Sequence, residues 1–178
     1  MANVGLTQIA KLYNRPDPLL SFKWVVESLP TIDGIKLDPS YVESIDVPFN
    51  NISIADNWYG GSGYTYFAGP HDISSFSVTF YEDQKVSTLK YILAWKNLVK
   101  DFDSGFYNLP GLGDGKVGYK RSMRLLFLDS KNNAILQADL EGIWPADTGN
   151  LSLNYTDSGR ITISQTFSCD NGAIKPLV

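Results

Sequence analysis

Four stretches of this 178-residue chain alternate large apolar side chains with small hydroxyl, amide or carboxylate groups, and a period of two commits them to β-structure. Ile45 and Val47 alternate with Ser44 and Asp46, and Phe76, Val78 and Phe80 with Ser75, Ser77 and Thr79. Leu151, Leu153 and Tyr155 alternate with Ser152, Asn154 and Thr156. Ile161, Ile163 and Phe167 share a last stretch with Thr162, Ser164, Thr166 and Ser168. Each apolar face must pack on a core. The opposite faces lack the Lys and Glu usual on open surface, and two accounts of them stand. Ser and Thr are acceptable strand residues on a solvated sheet. A channel wall is the other account, since small neutral side chains keep a bore wide and do not hold polyanionic cargo.

The rest of the chain reads as further strands around one helix. Residues 1–18 end in Arg15-Pro16-Asp17-Pro18, where two fixed φ angles and two missing donors stop regular structure, so they read as an N-terminal arm. The domain then spans 19–168, with residues 169–178 as a C-terminal tail. Leu20, Phe22, Trp24 and Val26 predict a first strand with one buried face, and Tyr41 to Phe49 a second. Residues 49–67, with aromatics around Gly60-Gly61-Ser62-Gly63, predict a long protruding hairpin. Val86, Leu89, Ile92, Leu93 and Val99 lie at helical spacing, predicting a helix over 84–100 with Asp83 as its cap. Tyr119 to Leu128 and Ala134 to Glu141 are strands about a turn at 129–133, and a last hairpin turns at Asp157-Ser158-Gly159. Several antiparallel strands and one helix make an α+β domain, mainly antiparallel β.

Composition excludes several functions. Hydrophobic residues at 43% with charged residues at 19% exclude a disordered chain. A net charge of -4 without a basic run removes the usual drive to bind phosphate backbones. Met1 to Leu12 lacks the basic and apolar segments of a secretory leader, and no apolar run reaches the roughly 20 residues of a membrane span, so a soluble, cytoplasmically made chain without membrane insertion is expected. Cys169 is the sole cysteine and has no partner for an internal disulfide.

Catalytic and cofactor motifs are incomplete. Gly113, Gly115 and Gly118 match a dinucleotide fingerprint in spacing, yet they follow a helix and precede a strand, the reverse of the required context. Gly115-Lys116 is followed by Val117 where a phosphate loop needs Ser or Thr. His71 is the only histidine, which removes multi-histidine metal sites. Asp139 and Glu141 fall on one strand face as ordinary surface charge. No catalytic residue, cofactor or metal is expected.

In the C-terminal half, Tyr119-Lys120-Arg121-Ser122, then Leu140-Glu141-Gly142-Ile143-Trp144-Pro145, then Gly149 leading into Leu151-Ser152-Leu153-Asn154-Tyr155, resembles the tail-tube proteins of contractile-tailed bacteriophages. The Gly-Ile-Trp-Pro step followed by a short loop and a paired strand is the most specific part. Leu29-Pro30, Val47-Pro48-Phe49, Phe67-Ala68-Gly69 and Ala94-Trp95-Lys96 fall in family order, so the likeness spans Leu19 to Phe167. The segments 56–66, 105–118 and 172–178 are longer than in short family members.

The resemblance implies a β-sandwich or barrel-like domain of two packed sheets with one flanking helix, assembling into stacked hexameric rings. Such rings form the inner tail tube of a virion, built in the host cytoplasm, through which genomic DNA is ejected without specific binding. Partners implied are further copies of the chain, a tail sheath protein, baseplate and tail terminator proteins, and a tape-measure protein. Ser44, Asp46, Ser75, Ser77, Thr79, Ser152, Asn154, Thr156, Thr162, Ser164 and Thr166 would then face the lumen. Phe49, Trp58, Tyr59, Tyr64 and Tyr66 on the hairpin would contact neighbouring subunits or rings, since exposed aromatic clusters mark contact surfaces. Four strands per copy in a six-fold ring close a 24-stranded barrel roughly 48 Å across at ~4.8 Å spacing and ~40° tilt. The inner-tube subunit of a type VI secretion or contractile injection system is the nearest alternative. A carbohydrate-binding β-sandwich using Trp58, Tyr59, Tyr64 and Tyr66 as a stacking platform is a further one.

Overall fold

A computed structural model of the chain describes residues 19–48, 51–59, 63–72, 75–111, 118–147, 150–151 and 159–177. In chain order its elements are β1 (Trp24–Ser28), β2 (Val42–Ile45), β3 (Asn51–Tyr59), β4 (Gly63–Asp72), β5 (Phe76–Tyr81), α1 (Ser87–Val99), β6 (Arg121–Leu128), β7 (Ala134–Pro145), β8 (Asn150–Leu151), β9 (Thr162–Ser168) and β10 (Asn171–Pro176). Among the described residues, eight strands join antiparallel in one sheet along the path β1-β6-β7-β9-β5-β2, with β10 beside β7 and β8 beside β9. The chain is thus mainly antiparallel β with one helix.

Two of the strand expectations shift. The first strand begins at Trp24: Phe22 is 70% exposed and Leu20 accepts the Lys23 N–H in a turn, so the apolar alternation at Leu20 and Phe22 lies outside the sheet. Tyr41 closes a short 3-10 turn over Pro39–Tyr41, and β2 follows it. Residues 171–176, expected within a tail, pair with β7 from Leu136 to Glu141.

The sheet bends where β7 passes into β8 and β9 into β10. β7 pairs with β10 up to Glu141 and with β9 at Trp144 and Pro145, and β8 then continues along β9. Gly142 occupies the bend at φ 68°, and a Cβ there would lie 2.3 Å from an Asp170 carboxylate oxygen, so both backbone and space demand glycine. Asp170 in turn pairs with Lys120 at 2.6 Å.

The core draws on both halves of this bent sheet. Val26, Met123, Leu125, Ala138 and Leu140 from β1, β6 and β7 meet Phe76, Val78, Phe80, Ile163 and Phe167 from β5 and β9 in one buried cluster. Eight of the described strands therefore connect as one bent sheet whose two halves enclose the core, and β3 and β4 form a separate two-stranded sheet. α1 closes the cluster with Tyr91, Ile92 and Trp95. Trp95 lies against Phe167 at 5.4 Å between ring centroids, and its indole N–H donates to the Tyr119 carbonyl at 2.8 Å.

The helix starts at Ser87 and not at Gln84, because Val86 takes a left-handed conformation (φ 60°, ψ 40°) that interrupts the helical path. Asp83 still caps it. Its carboxylate accepts the Ser87 N–H and hydroxyl, both at 2.9 Å, while Glu82 accepts the N–H groups of Thr88 and Leu89 at 3.1 and 2.8 Å. Two carboxylates thus satisfy donors that the first turn cannot pair internally.

Candidate functional site

Three of the alternating stretches come together, with Leu151, the described start of the fourth, beside them. β8, β9, β5 and β2 are consecutive neighbours, and their register aligns Asn150, Ser164, Thr79 and Ser44 in one row across the sheet. Ser77 stands opposite Thr166 in the next row, and Asp46 adds to this end by donating its N–H to the Ser77 carbonyl at 3.0 Å. The Thr79 and Ser164 hydroxyls lie 3.0 Å apart, close enough for one to donate to the other across the strands. The alternate positions, Phe76, Val78, Phe80, Ile163, Gln165 and Phe167, are buried behind them.

Placement of the expected lumen residues follows the alternation. Ser44, Asp46, Ser75, Thr162 and Ser164 are exposed, and Ser77, Thr79 and Thr166 are half-buried. Ser152, Asn154 and Thr156 lie outside the described residues. Ile161, grouped with the apolar face from its spacing, is 42% exposed because it precedes β9. Tyr81 shares the polar phase, stacked on Tyr41 at 4.5 Å. The Arg160 guanidinium lies 5.8 Å from the Tyr81 ring centroid and pairs with Glu43 at 3.1 Å. These two charges belong to the end of the face and offset each other.

The other half of the sheet is built differently. Arg124 on β6 pairs with Asp139 at 2.7 Å and with Glu27 at 3.3 Å, and Lys175 on β10 approaches Asp139 at 3.5 Å. Charge is therefore concentrated on β1, β6, β7 and β10, while the four-strand face is made of hydroxyls with Asp46 as the one ionisable side chain among its described expected residues.

Among the described residues, β3 and β4 form a separate two-stranded ribbon that pairs with no strand of the larger sheet. Its register sets Trp58 opposite Tyr64, Asp56 opposite Tyr66 and Tyr59 opposite Gly63, and its return strand runs to Asp72. Phe49 and the side chains of Trp58, Tyr59, Tyr64 and Tyr66 lie outside what is described.

Two features escaped sequence reasoning. Gln165 occupies the apolar phase of β9 and is wholly buried, its amide donating to the Asp147 and Thr166 carbonyls at 2.8 and 2.7 Å. Its position in Ile163-Ser164-Gln165-Thr166-Phe167 was the available signal. A loop after α1 exposes Phe102, Phe106, Tyr107 and Leu109. Among the described residues no cluster of three or more His, Cys, Asp or Glu is arranged to hold a metal, and no helix is long and apolar enough to cross a membrane.

The overall fold recurs in solved structures. One chain from the sheath–tube complex of PVC, an extracellular contractile injection system in its extended state, superposes with a TM-score of 0.62 over 98% of this chain and 99% of its own. The fold is that of a contractile-tail tube protein. A chain from the tube-terminating cap of the anti-feeding prophage gives a TM-score of 0.65 over 91% of this chain and 93% of its own, so the tube fold extends across nearly all of both. A chain from the PVC sheath/tube terminator gives 0.62. Sequence identities are 12%, 12% and 10%, so the likeness resides in the fold. No family model and no curated protein matches the sequence.

Proposed function

We propose that this chain is the repeating, non-enzymatic subunit of the inner tube of a contractile tail, its four-strand hydroxyl face turned to the lumen. The observation that carries this reading is the row Ser44, Thr79, Ser164 and Asn150 on β2, β5, β9 and β8. Those strands alternate in direction, so β2 and β8 run opposite ways. Among the described residues each has a partner on one side only. A second copy set beside the first places its β8 antiparallel to the first copy's β2, and the pattern continues without a parallel seam. Ring closure removes both edges, which otherwise invite uncontrolled pairing.

In this reading six copies form a ring and rings stack into a tube inside a sheath, started at a baseplate and ended by a terminator. The hydroxyl face suits a conduit, because, Asp46 apart, cargo slides past groups that neither attract nor repel its charge. In a phage the cargo is genomic DNA, with a tape-measure protein in the lumen during assembly. A second reading, an injection machine that delivers protein, is favoured by the end-to-end likeness to a chain of an extracellular contractile injection system.

Negative-stain electron microscopy and sedimentation of the concentrated protein test the proposal, with six-fold rings or hollow tubes expected. A monodisperse monomer across salt, pH and protein concentration refutes it. Lysine at both Thr79 and Ser164 then separates lumen from outer surface: tubes still form if the face is solvated, and they bind short DNA in a form protected from nuclease. DNA that is bound yet open to nuclease places the face elsewhere.

A further inference from the structure

The loop after α1 presents four large apolar side chains within eight residues: Phe102, Phe106, Tyr107 and Leu109 are 64%, 76%, 73% and 70% exposed. It is held in shape. Gly105 donates to the Asp101 carbonyl at 2.8 Å, Asp101 donates to the Phe106 carbonyl at 3.0 Å, and the Ser104 hydroxyl and Asp103 N–H close on the Asp101 carboxylate. Asn108 ties the loop back to the helix through the Val99 and Leu98 carbonyls, and the Lys100 ammonium sits 5.0 Å from the Tyr107 ring centroid. Exposed apolar groups on a pre-formed scaffold lose little freedom on docking, which marks a contact surface.

The same chain carries a receptor of matching chemistry. A cavity of about 330 Å³ is lined by Leu19, Leu20, Leu128 and Ile135, with Lys23 and Asp129 at its border. That volume accepts an aromatic side chain. The charges around the two features are complementary. The loop carries Asp101 and Asp103 against Lys100. Beside the cavity, Lys23 and Lys131 outnumber Asp129 by one charge, as Asp101 and Asp103 outnumber Lys100 on the loop.

The two features lie toward opposite ends of one strand. Leu128 is the last residue of β6, whereas the loop leads toward its first residue, Arg121, next to the Tyr119 carbonyl that Trp95 holds. Seven residue steps of strand separate those ends by roughly 23 Å. A contact between them is head-to-tail, and such a contact propagates.

We infer that the aromatic loop of one copy, led by Phe106 and Tyr107, docks into the Leu19–Leu20–Leu128–Ile135 cavity of a second copy, making a directional joint between successive rings. The axial direction of this joint rests on the tube reading; the contact between copies does not. It assigns the loop to self-assembly, separate from the edge pairing that closes each ring.

Mixed-chain cross-linking tests the joint. One batch of full-length protein carries Phe106→Cys and the other Leu20→Cys; Cys169 is buried and its thiol is pushed up by that burial, so it stays out of the exchange. Under mild oxidation the mixture is expected to yield a disulfide-linked dimer at least ten-fold faster than Phe106→Cys mixed with Thr162→Cys, a control on the hydroxyl face. Equal rates overturn the inference, and so does self-linking of Phe106→Cys alone at the mixed rate, which signals a symmetric loop-to-loop contact. Microscopy of Phe106→Ser/Tyr107→Ser is expected to show single rings that no longer stack, and full-length tubes overturn the joint. If the parent protein forms no rings, the tube reading fails, while the cross-link still decides whether the two surfaces meet.

Discussion

Replacing Trp95 by Phe removes a hydrogen bond that joins the helix to the chain segment entering β6, and leaves the Tyr119 carbonyl without that donor. An orphaned, partly buried carbonyl costs about 1–3 kcal/mol. The smaller ring leaves a void of roughly 40 Å³ among Tyr91, Phe167 and their neighbours, worth about 1 kcal/mol at ~24 cal/mol per Å³. The sum is roughly 2–4 kcal/mol, and at ~2–4 °C per kcal/mol for a chain of this size the melting temperature falls by on the order of 10 °C. Urea titration followed by circular dichroism measures the change, which should appear in the midpoint with an unaltered slope. Trp95→Ala loses more, about 3–5 kcal/mol from truncation before the carbonyl is counted. Both substitutions act on the back of β9, so at low temperature the Phe variant should still assemble. A loss below about 1 kcal/mol for Trp95→Phe would show that the indole hydrogen bond does not hold the helix to the sheet.

Three further outcomes follow from the same geometry. The Asp83 carboxyl is lowered from 3.8 to about 2, chiefly because the Ser87 amide donates to it, outweighing the upward pull of burial, with the Tyr41 and Ser87 hydroxyls adding to the lowering. Its stabilisation is present above pH ~4 and lost as pH falls toward 2, so melting of Asp83→Asn should depend less on pH than the parent's across that window; parallel curves contradict this. Gly142→Ala should destabilise by at least the ~1–2 kcal/mol of a left-handed non-glycine residue, and a companion Asp170→Gly should recover the collision but not that strain, as read by urea titration. At Val86, Asn should melt ~2–4 °C above Ala, because both lose the valine contacts but Asn tolerates the left-handed backbone better; equal melting argues against that backbone.

Period-two alternation carried most of the sheet. Phe76, Val78 and Phe80 face the core and Ser77 and Thr79 face away, because a strand of that pattern has one arrangement that buries its apolar side. The same rule failed at Leu20 and Phe22, where alternation continues past the residues that find a pairing strand. Pairing is a long-range event, and nothing local to Phe22 reports that β6 pairs no further. The helix boundary failed for a different reason. Asp83 was legible as a cap, but the left-handed turn at Val86 lets Glu82 reach the first free N–H groups as well, and a valine is the wrong residue to announce such a turn. Gly142 was visible as part of a motif, yet its role needs Asp170, 28 positions away, to be seen.

The hydroxyl face could be found from sequence because each strand carries its own copy of the pattern. The aromatic loop could not be read as a surface, since Phe102, Phe106, Tyr107 and Leu109 look like core residues until burial is known. Its neighbours Asp101 and Asn108 hold the loop so that those rings remain outside.

The opposite running of β2 and β8 has an arithmetic consequence. Because each copy contributes an even number of strands, any number of copies closes with its edges correctly matched, and ring size is left to the angle between neighbours. Every added copy would widen the bore in one step of roughly 8 Å, from four strands at ~4.8 Å spacing and ~40° tilt. Calibre in such a tile is quantised, so a small change in the angle between neighbouring copies alters nothing until it is large enough to admit or expel a whole copy.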